Sequence, residues 1–439
     1  MNDILMFSAA LVGLLIVVAV WQRLVDKRAA EQTRHEIAEA ERRGSAKPLA
    51  QHPQINEWSC IGCGACVRAC PEDGVLEVID GIARIVHGSR CVGHERCAVA
   101  CPVGAIKVGL GDISGRDDIP RLREDTGESS VPGLFLAGEV SGIALIRHAV
   151  RQGTSAVEEI ARRIDQLRGR NDGKAVDVAI VGAGPAGLAA ALKAIEAGLS
   201  YLVIEQEDVG GTILHYPRQK LVMTNPVTLP LYGKINQAEF QKEDLLALWT
   251  DVIKKHQVKI KPGIRFTGVT GAAGNFVLDT TAGKLAARST VLAVGRRGTP
   301  RKLEVPGEEL SKVSYRLLDA GTYRHRKLLV VGGGDSAVEA AVGLAEQPGN
   351  VVHLSYRKEH FVRIKSRNEK KLEEAVQKGR LRLVTKSYVK EISPTTVTLQ
   401  VDGQPAPLEL PNEFVFVFAG GVAPFDLLKA AGVRFGDAS

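Results

Sequence analysis

The sequence predicts an α/β fold in which two strand–turn–helix units with glycine-rich turns are joined to a cysteine-rich domain and an apolar N-terminal helix. Three observations support this prediction. The segments Val178–Glu205 and Leu328–Tyr356 each begin with an apolar strand followed by a glycine-rich turn. All seven cysteines fall between Cys60 and Cys101, and residues 4–22 contain no charged side chain. The 439-residue chain, 45% hydrophobic, is long enough for about three domains.

The first strand–turn–helix unit has the spacing of a dinucleotide site on a Rossmann-like domain. Gly182 permits the tight turn, Gly184 lets the backbone approach a pyrophosphate, and Gly187 lets the helix pack against the strand. Glu205 ends the second strand roughly 20 residues later, where the motif needs an acceptor for ribose hydroxyls. A glycine-rich turn alone is weak evidence, but here strand, helix and acid follow in the required order. The predicted binding residues are Gly182, Gly184, Pro185, Ala186, Gly187 and Glu205.

The second unit repeats this arrangement with a G-x-G-x-x-A spacing. Its predicted binding residues are Gly332, Gly334, Asp335, Ser336 and Ala337. Basic side chains follow its second strand, first Arg357 and Lys358, then Arg363 and Lys365. A basic group at this point suits the 2′-phosphate of NADPH, whereas an acid would suit the ribose hydroxyls of NADH. The sequence therefore favours NADPH over NADH, and the alternative is that these charges form only a solvated loop.

The cysteines follow a regular repeat. The first run is C-x2-C-x2-C-x3-C followed by Pro71, with the cysteines at Cys60, Cys63, Cys66 and Cys70. Adding 31 to each position gives a second run followed by Pro102, with Cys91, His94, Cys97 and Cys101. Such a run is typical of bacterial [4Fe-4S] sites, in which three thiolates bind one cluster and the fourth binds its neighbour. The repeat thus predicts two clusters.

Residues 55–108 resemble the two-cluster ferredoxins, which have a small α+β fold. The resemblance implies one [4Fe-4S] cluster on Cys60, Cys63, Cys66 and Cys101, and a second cluster on Cys70, Cys91 and Cys97. His94 stands where the repeat predicts cysteine. Either its imidazole completes a second [4Fe-4S] cluster, or that site holds [3Fe-4S] and His94 only solvates it. Zinc rarely needs seven thiolates in a doubled pattern, and disulfides are less expected still in a cytoplasmic domain.

Residues 176–424 resemble the two-dinucleotide flavoproteins, specifically the thioredoxin-reductase-like branch. Beyond the two glycine-rich units, the resemblance covers a flavin loop, a return strand ending at Gly295, and the re-entering strand Phe416–Gly421. The flavin loop consists of Gly210, Gly211 and Thr212. The resemblance implies FAD in the first unit, NAD(P)H in the second, and an FAD-dependent NAD(P)H oxidoreductase.

One segment of the flavoprotein pattern lies out of order. After the strand at Phe416 the family continues with a further strand, an acidic flavin-contacting turn and a helix, and Val131–Ala161 has that appearance upstream of the FAD motif. We hypothesise a circular permutation in which Gly138 and Glu139 complete the FAD site and the linker 169–174 joins the former ends. The usual residue of the family is Asp, so Glu139 is a departure. The alternative is an unrelated linker domain.

The uncharged run Ile4–Gln22 is close to the length needed to cross a bilayer and predicts an N-terminal transmembrane helix. Its start lacks the basic residues of a secretory signal, and Arg23, Lys27 and Arg28 follow it. Basic residues that flank a spanning helix stay on the cytoplasmic side of the membrane. We therefore expect a single-pass protein of the inner (cytoplasmic) membrane with its catalytic domains in the cytoplasm. Residues 22–43 predict a solvated helical stalk. The alternative for the apolar run is a buried core helix.

These features predict six segments along the chain. They are a transmembrane helix and stalk (1–48), an iron–sulfur domain (49–110), the permuted FAD-closing segment (111–168), the FAD-binding domain (169–298), the NAD(P)H-binding domain (299–411) and a return to the FAD domain (412–439). The net charge of +7 fits an anionic membrane surface or an acidic carrier protein. No interleaving of basic and aromatic residues points to nucleic acid.

The cysteine distribution limits the chemistry. The disulfide-relay thioredoxin reductases carry a cysteine pair before their NADPH motif, but Ser314–Lys327 contains no cysteine. This excludes a relay through an enzyme disulfide. We therefore expect a membrane-anchored enzyme that moves electrons between NADPH, FAD, two iron–sulfur clusters and a partner, which is an electron carrier or a membrane redox subunit.

Two other functions stay open at this point. Cysteine-free members of the branch resemble bacillithiol disulfide reductases, so the flavin could reduce a small disulfide or a quinone directly. A redox sensor or assembly scaffold would bind the cofactors without turnover. No side chain is predicted to be catalytic, although Met223, Thr224 and Asn225 follow the first half of the FAD domain and either face the flavin ring or pack. The resemblance also allows a homodimer.

Overall fold

The computed structural model describes residues 2–48, 51–110, 116–143, 145–168, 175–218, 220–223, 226–237, 239–296 and 299–436. The predicted linker 169–174, and Thr224 and Asn225, lie outside the described residues. The chain divides into two compact units. The first comprises residues 1–111 and 362–366, and the second comprises residues 112–361 and 367–439.

The first unit combines one long helix with a small cysteine-rich module. Its elements are α1 (Asn2–Arg43), β1 (His52–Ile55), α2 (Ala65–Ala69), β2 (Leu76–Ile79), β3 (Ile82–Ile85), α3 (Arg96–Val99) and β4 (Ile106–Gly109). Two antiparallel pairs, β1 with β4 and β2 with β3, form its sheets. The core between them contains Cys66, Val75, Leu76, Ala83, Cys97 and Ile106. Four further cysteines are partly buried and pack against this core, namely Cys60, Cys70, Cys91 and Cys101.

The predicted transmembrane helix is wrong. In the described part of the chain, no helix has a stretch that is long and apolar enough to span a bilayer. Helix α1 is continuous from Asn2 to Arg43, but its described side chains begin at Leu11, and the uncharged stretch from there ends at Gln22. A spanning helix needs about 20 apolar residues. The predicted location, as a single-pass inner-membrane protein with cytoplasmic domains, is therefore not supported.

The 31-residue repeat of the cysteine module extends to its backbone. Gly62 and Gly93 are equivalent positions, and both have positive φ angles, 65° and 73°. Gly64 and Glu95 are also equivalent and precede α2 and α3 in the left-handed conformation, with φ of 66° and 59°. A side chain at Gly62 would place its Cβ 2.3 Å from the carbonyl oxygen of Gly81. The two halves of the module therefore repeat the same loop before a short helix.

The second unit contains two domains of alternating strands and helices. Its first part consists of β5 (Leu134–Leu136), α4 (Ile146–Arg168), β6 (Val176–Val181), α5 (Pro185–Glu196), β7 (Tyr201–Ile204), β8 (Leu221–Met223), β9 (Val227–Leu229), β10 (Gly233–Ile235), β11 (Glu239–Gln241), α6 (Lys242–Lys255), β12 (Ile260–Lys261), β13 (Phe266–Ala272), β14 (Asn275–Thr280) and β15 (Gly283–Leu292). The main sheet has the order β12-β7-β6-β15-β14-β13, and β5 pairs with β15. This is the sheet of the predicted FAD domain.

The upstream segment 131–161 contributes a strand to this sheet and a helix that packs in the same core. Strand β5 pairs in parallel with the end of β15, with Leu134 opposite Thr290. Leu134, Phe135 and Leu136 are buried, and the apolar face of α4 packs against α5 in the same core. Apolar residues recur on that face of α4 at helical spacing, which explains why the segment forms a helix against the sheet rather than a loose linker.

The remaining elements form the second dinucleotide domain and the C-terminal part. They are β16 (Thr299–Pro300), β17 (Val313–Ser314), β18 (Lys327–Val331), α7 (Asp335–Ala345), β19 (Val351–Tyr356), α8 (Ser366–Gln377), β20 (Leu381–Thr385), β21 (Ser387–Ile392), β22 (Thr396–Val401), β23 (Leu408–Pro411), β24 (Phe414–Val417), β25 (Gly421–Val422) and α9 (Phe425–Ala430). A parallel sheet of order β17-β24-β18-β19-β20 carries the second glycine-rich turn between β18 and α7. Parallel strands joined by helices are typical of dinucleotide-binding domains.

Candidate functional site

The first glycine-rich turn connects β6 to α5 and accepts only glycine at two positions. Gly182 has a φ of 103°, and a Cβ there would lie 2.5 Å from the carbonyl oxygen of Ala293. A Cβ on Gly187 would lie 1.8 Å from the carbonyl oxygen of Gly182. Helix α5 starts at Pro185, so its free N–H groups and positive dipole end lie beside the turn. The turn is built to receive an anionic group such as a pyrophosphate.

Glu205 ties the end of β7 to this turn. The N–H of Ala183 donates to its Oε2 at 2.7 Å, and the N–H of Glu207 donates to its Oε1 at 3.0 Å. The residue is buried and lines the cavity described below. A carboxylate oxygen can accept more than one hydrogen bond, so these two contacts leave acceptor capacity for ribose hydroxyls. The sequence predicted the ribose role but not the bond to the glycine-rich turn.

The turn that contains Gly138 and Glu139 lies against the start of α5. Gly138 has a φ of 84°, and a Cβ on it would lie 3.3 Å from the Cβ of Ala186. Its N–H donates to Oε1 of Gln152 at 2.8 Å, and Gln152 Nε2 donates to the hydroxyl of Ser141 at 2.9 Å. These contacts hold the turn in place from α4. Gln152 was missed from the sequence because nothing in its local pattern distinguishes it from a surface residue.

Both glycine-rich turns open on one cavity of about 890 Å³. Its volume falls within the range of roughly 300–1,000 Å³ of small-molecule and cofactor sites. The predicted residues that line it are Gly138, Glu139, Gly182, Gly184, Pro185, Ala186, Glu205, Gly211, Thr212, Gly295, Gly334, Asp335, Ser336 and Ala337. Three other predicted glycines shape the backbone around it, namely Gly187, Gly210 and Gly332. The structure thus brings the first motif, the second motif and the turn at Gly138 and Glu139 together.

The second turn is closely packed between β18 and α7. A Cβ on Gly332 would lie 2.5 Å from the carbonyl oxygen of Phe418, and one on Gly333 would lie 1.9 Å from the ring of Tyr356. Buried Asn368 donates to Oδ1 of Asp335 at 2.6 Å and to Oε1 of Glu339 at 3.1 Å. It fixes two side chains of the cavity wall.

Further lining residues come from α7 and from loops that carry no recognisable motif. Lys220 donates to Oε2 of Glu339 at 2.8 Å, and His215 contacts Glu207, whose other oxygen accepts from Arg316 at 2.9 Å. Burial lowers the pKa of His215. All five side chains line the cavity. Sequence reasoning missed these five residues because only the fold brings their segments together.

The basic residues predicted to bind a 2′-phosphate belong to two different compact units. Arg357, Lys358 and Arg363 are exposed, and none belongs to the described lining of the cavity. Lys365 lies in the first compact unit, where its Nζ is 3.1 Å from Oε1 of Glu72. Only Arg357 and Lys358, which directly follow β19, keep the position that the motif predicts for a phosphate contact.

The first predicted cluster site has sulfur atoms that accept backbone hydrogen bonds. The N–H of Ala83 donates to Sγ of Cys60 at 3.5 Å, and the N–H of Ala105 donates to Sγ of Cys101 at 3.2 Å. Cys66 is buried and Cys63 is exposed. Hydrogen bonds to sulfur stabilise thiolates and tune cluster potentials, so the donor set fits an iron–sulfur cluster.

The second predicted site surrounds a small cavity lined by Cys70, Cys91, Cys97 and His94, with Glu72 beside them. Burial raises the pKa of Cys91 to about 11 and that of Cys97 to about 12. Such thiols become thiolates when a cation binds, as iron would. No three His, Cys, Asp or Glu side chains of the described chain are placed to share one metal ion. A cluster differs from a single ion because its thiolates bind different iron atoms.

The comparisons with known proteins cover both parts of the chain. Residues 179–438 match the family model described as pyridine nucleotide-disulphide oxidoreductase, and residues 52–102 match the 4Fe-4S dicluster domain. Bacilliredoxin reductase Bdr of Bacillus subtilis is 27% identical over 259 residues, which are 58% of this chain and 80% of that protein. Ferredoxin–NADP reductase of Ignicoccus hospitalis is 29% identical over 260 residues, which are 59% of this chain and 81% of that protein.

A solved structure is also similar to this chain. Bacillithiol disulfide reductase Bdr from Bacillus cereus superimposes with a TM-score of 0.53 at 29% identity, covering 59% of this chain and 82% of that one. The predicted resemblances to thioredoxin-reductase-like flavoproteins and to two-cluster ferredoxins are confirmed. The predicted enzyme class is confirmed as well. The chain belongs to the pyridine nucleotide-disulphide oxidoreductase family, as an FAD-dependent NAD(P)H oxidoreductase that carries a 4Fe-4S dicluster domain.

Proposed function

We propose that the protein moves electrons between NADPH and a partner electron carrier by way of FAD and two iron–sulfur clusters. One observation carries this proposal: both glycine-rich turns open on the same cavity, so a nicotinamide and a flavin would meet within one compact unit. The relative named ferredoxin–NADP reductase supports a one-electron carrier as partner. When bound, FAD supplies the exchange between the two electrons of a hydride and the single electrons that iron–sulfur clusters carry.

The residues of the first motif and the permuted turn would hold FAD. The N-terminal end of α5 receives the pyrophosphate at Gly182, Gly184 and Pro185, and Glu205 accepts hydrogen bonds from the ribose. Glu139, which lines the cavity at the permuted turn, would contact the flavin side chain. In this arrangement the segment 131–161 supplies the closing part of the FAD domain through a circular permutation.

The residues of the second motif would hold NADPH. Gly334 lines the cavity, and Asp335, with its side chain fixed by Asn368, begins α7. Arg357 and Lys358 follow β19 at the predicted distance from the turn and would bind the 2′-phosphate. Their exposure leaves both guanidinium and ammonium groups accessible to a nucleotide that enters from solvent. NADH, which lacks this phosphate, would gain nothing from either side chain.

The cysteines would divide between two clusters. The first cluster is a [4Fe-4S] on Cys60, Cys63, Cys66 and Cys101, whose donor set includes two sulfurs with backbone hydrogen bonds. The second cluster would be held by Cys70, Cys91 and Cys97, and His94 lines the same cavity. The partner carrier would exchange electrons with the first cluster, because Cys63 is exposed.

The experiment is anaerobic mixing of the purified protein with NADPH. Flavin absorbance would be followed in a stopped-flow instrument, and samples frozen at intervals would be examined by EPR. Variants Cys66→Ser and Cys97→Ser, each lacking one buried predicted ligand, assign the two cluster signals. We expect cluster signals to appear after the flavin bleaches. Bleaching without cluster reduction, in protein whose clusters dithionite does reduce, would refute the proposal.

A second candidate function is direct reduction of a small disulfide at the flavin. The relatives named bacilliredoxin reductase and bacillithiol disulfide reductase favour it, and the chain has no cysteine outside the module Cys60–Cys101. A variant with all seven cysteines replaced by serine would separate the two functions. Rapid NADPH oxidation by a low-molecular-weight disulfide in this variant would support direct reduction, whereas loss of all NADPH-dependent turnover would favour the cluster route.

A further inference from the structure

The carboxylate of Glu72 joins the second predicted cluster site to a basic side chain. Oε1 of Glu72 is 3.4 Å from Nε2 of His94 and 3.1 Å from Nζ of Lys365. The side chain of Glu72 is 10% exposed and that of His94 is 5% exposed. All three residues belong to the first compact unit. A buried carboxylate needs hydrogen-bonding or charged partners, and Glu72 has both here.

The contact with Glu72 determines which nitrogen of His94 can bind a metal. A neutral imidazole has one N–H donor and one acceptor nitrogen, and an ionised carboxylate only accepts. Nε2 must therefore carry the proton that it donates to Glu72. Nδ1 is then the acceptor nitrogen of the ring, which is the form in which histidine binds metals. Histidine ligands of metals almost always donate their other N–H to a carboxylate, a carbonyl or water in this way.

The remaining ligands lie around the same cavity. Cys70, Cys91 and Cys97 line it together with His94 and Glu72. A [4Fe-4S] cluster needs four ligands, and the three thiolates supply three of them. We infer that His94 is the fourth ligand, through Nδ1, and that Glu72 is its positioning residue. The inference rests on the proposed function in one respect, namely that these cysteines hold the second cluster.

Lys365 has a separate role in this arrangement. Its ammonium group shares Oε1 of Glu72 with His94, so both basic side chains contact the same carboxylate oxygen. The segment that carries it is held to the module by further hydrogen bonds. Arg90 donates to the hydroxyl of Ser366 at 3.0 Å, and that hydroxyl donates to the carbonyl oxygen of Asp73 at 3.1 Å. Lys365 therefore keeps Glu72 charged and in place.

The test uses the full-length protein reduced with dithionite, so it needs neither NADPH nor FAD. Iron content, EPR-monitored redox titration and nitrogen hyperfine coupling (ENDOR) are measured for wild type and for His94→Ala, His94→Cys, Glu72→Gln and Glu72→Ala. The control is Glu77→Gln, which changes a carboxylate of the same module outside the cavity lining. Wild type should contain about eight iron atoms and show nitrogen coupling on the second cluster.

The variants separate ligation from positioning. His94→Ala should lose the nitrogen coupling and about one iron atom, and His94→Cys should restore the iron at a lower potential because thiolate replaces neutral nitrogen. Glu72→Gln, whose amide oxygen still accepts from Nε2, should keep the iron. It should raise the second-cluster potential by about 59 mV or more, a tenfold change in the oxidised-to-reduced ratio, because a weaker acceptor lowers the basicity of the ring. Glu72→Ala should lose iron from this site.

A direct electrostatic effect of Glu72 would give a different pattern. If Glu72→Gln shifts the potential equally in the wild-type and His94→Cys backgrounds, or if Glu77→Gln shifts it as much, Glu72 does not act through His94. Two clusters without nitrogen coupling would overturn His94 ligation alone. A wild-type protein with a single cluster would instead contradict the second cluster of the proposed function.

Discussion

The packing of helix α4 on α5 makes Gly153 the most informative residue for substitution. A Cβ at this position would lie 2.1 Å from the carbonyl oxygen of Ala186 and 3.2 Å from the backbone nitrogen of Ala190. Both atoms belong to the backbone of α5 and cannot rotate away. Gly153→Ala would therefore force the two helices apart by about 1 Å, and overpacking of this kind costs about 1–3 kcal/mol.

The helix propensity of alanine works in the opposite direction. Alanine favours a helix interior over glycine by about 1 kcal/mol. Because the clash is with rigid backbone, we take the upper end of the packing cost and expect a net loss of about 2 kcal/mol in the free energy of unfolding. Gly343→Ala is the matched control in α7, since its Cβ would meet only the Cβ of Ala320 at 3.6 Å. The free energy of unfolding of this control variant should rise by up to about 1 kcal/mol.

The assay is urea unfolding followed by tryptophan fluorescence. Trp249 is buried in the second unit, whereas Trp21 and Trp58 are exposed, so a change in emission on unfolding reports mainly on this unit. The midpoint for Gly153→Ala should fall below that of wild type, and the midpoint for Gly343→Ala should not. If Gly153→Ala is as stable as Gly343→Ala, α4 does not pack on α5, and the permuted FAD-closing segment is refuted.

Three further predictions concern the nucleotide sites and pH. Glu205→Gln should weaken FAD binding to the apoprotein at least tenfold, because the two carboxylate oxygens accept from the N–H groups of Ala183 and Glu207 and an amide has only one accepting oxygen; equal FAD titrations would contradict this role. Arg357→Ala combined with Lys358→Ala should raise the KM for NADPH at least tenfold and leave that for NADH unchanged in steady-state assays; parallel changes would exclude a 2′-phosphate site. Burial lowers the pKa of His353, so the unfolded chain takes up a proton below about pH 6.5 that the folded chain does not. Stability should therefore fall as the pH drops below that value, and His353→Gln should flatten this dependence in unfolding experiments at pH 7 and pH 5.5.

The parts predicted correctly from sequence are those set by local geometry. A glycine that would clash with its own neighbouring strand, such as Gly182, must be glycine wherever this turn occurs, so the motif is visible in the sequence. The cysteine repeat is visible for the same reason, and it continues in the backbone at Gly62 and Gly93. Resemblance to known families then extended these local patterns to FAD, NAD(P)H and a dicluster domain.

The parts that could not be predicted depend on contacts between distant segments. Gln152 and Asn368 hold the walls of the cavity, but each is an ordinary polar residue on a helix until the fold brings its partner near. Glu72 likewise has one charged partner, Lys365, that lies nearly 300 residues later in the chain. The membrane helix was predicted from an uncharged run alone, a pattern that says nothing about the continuous helix through the charged residues after Gln22.

The pairing of β5 with β15 has a consequence for how the protein is made. Leu134 pairs with Thr290, which is 156 residues further along the chain (290 − 134). At about 5–20 residues per second, roughly 8–30 s of synthesis separate the emergence of the two strands from the ribosome. During that time Leu134, Phe135 and Leu136, all buried in the folded protein, have no sheet to join. Nascent chains of this protein should therefore depend on chaperones more than those of a rearranged variant in which this strand is made after β15.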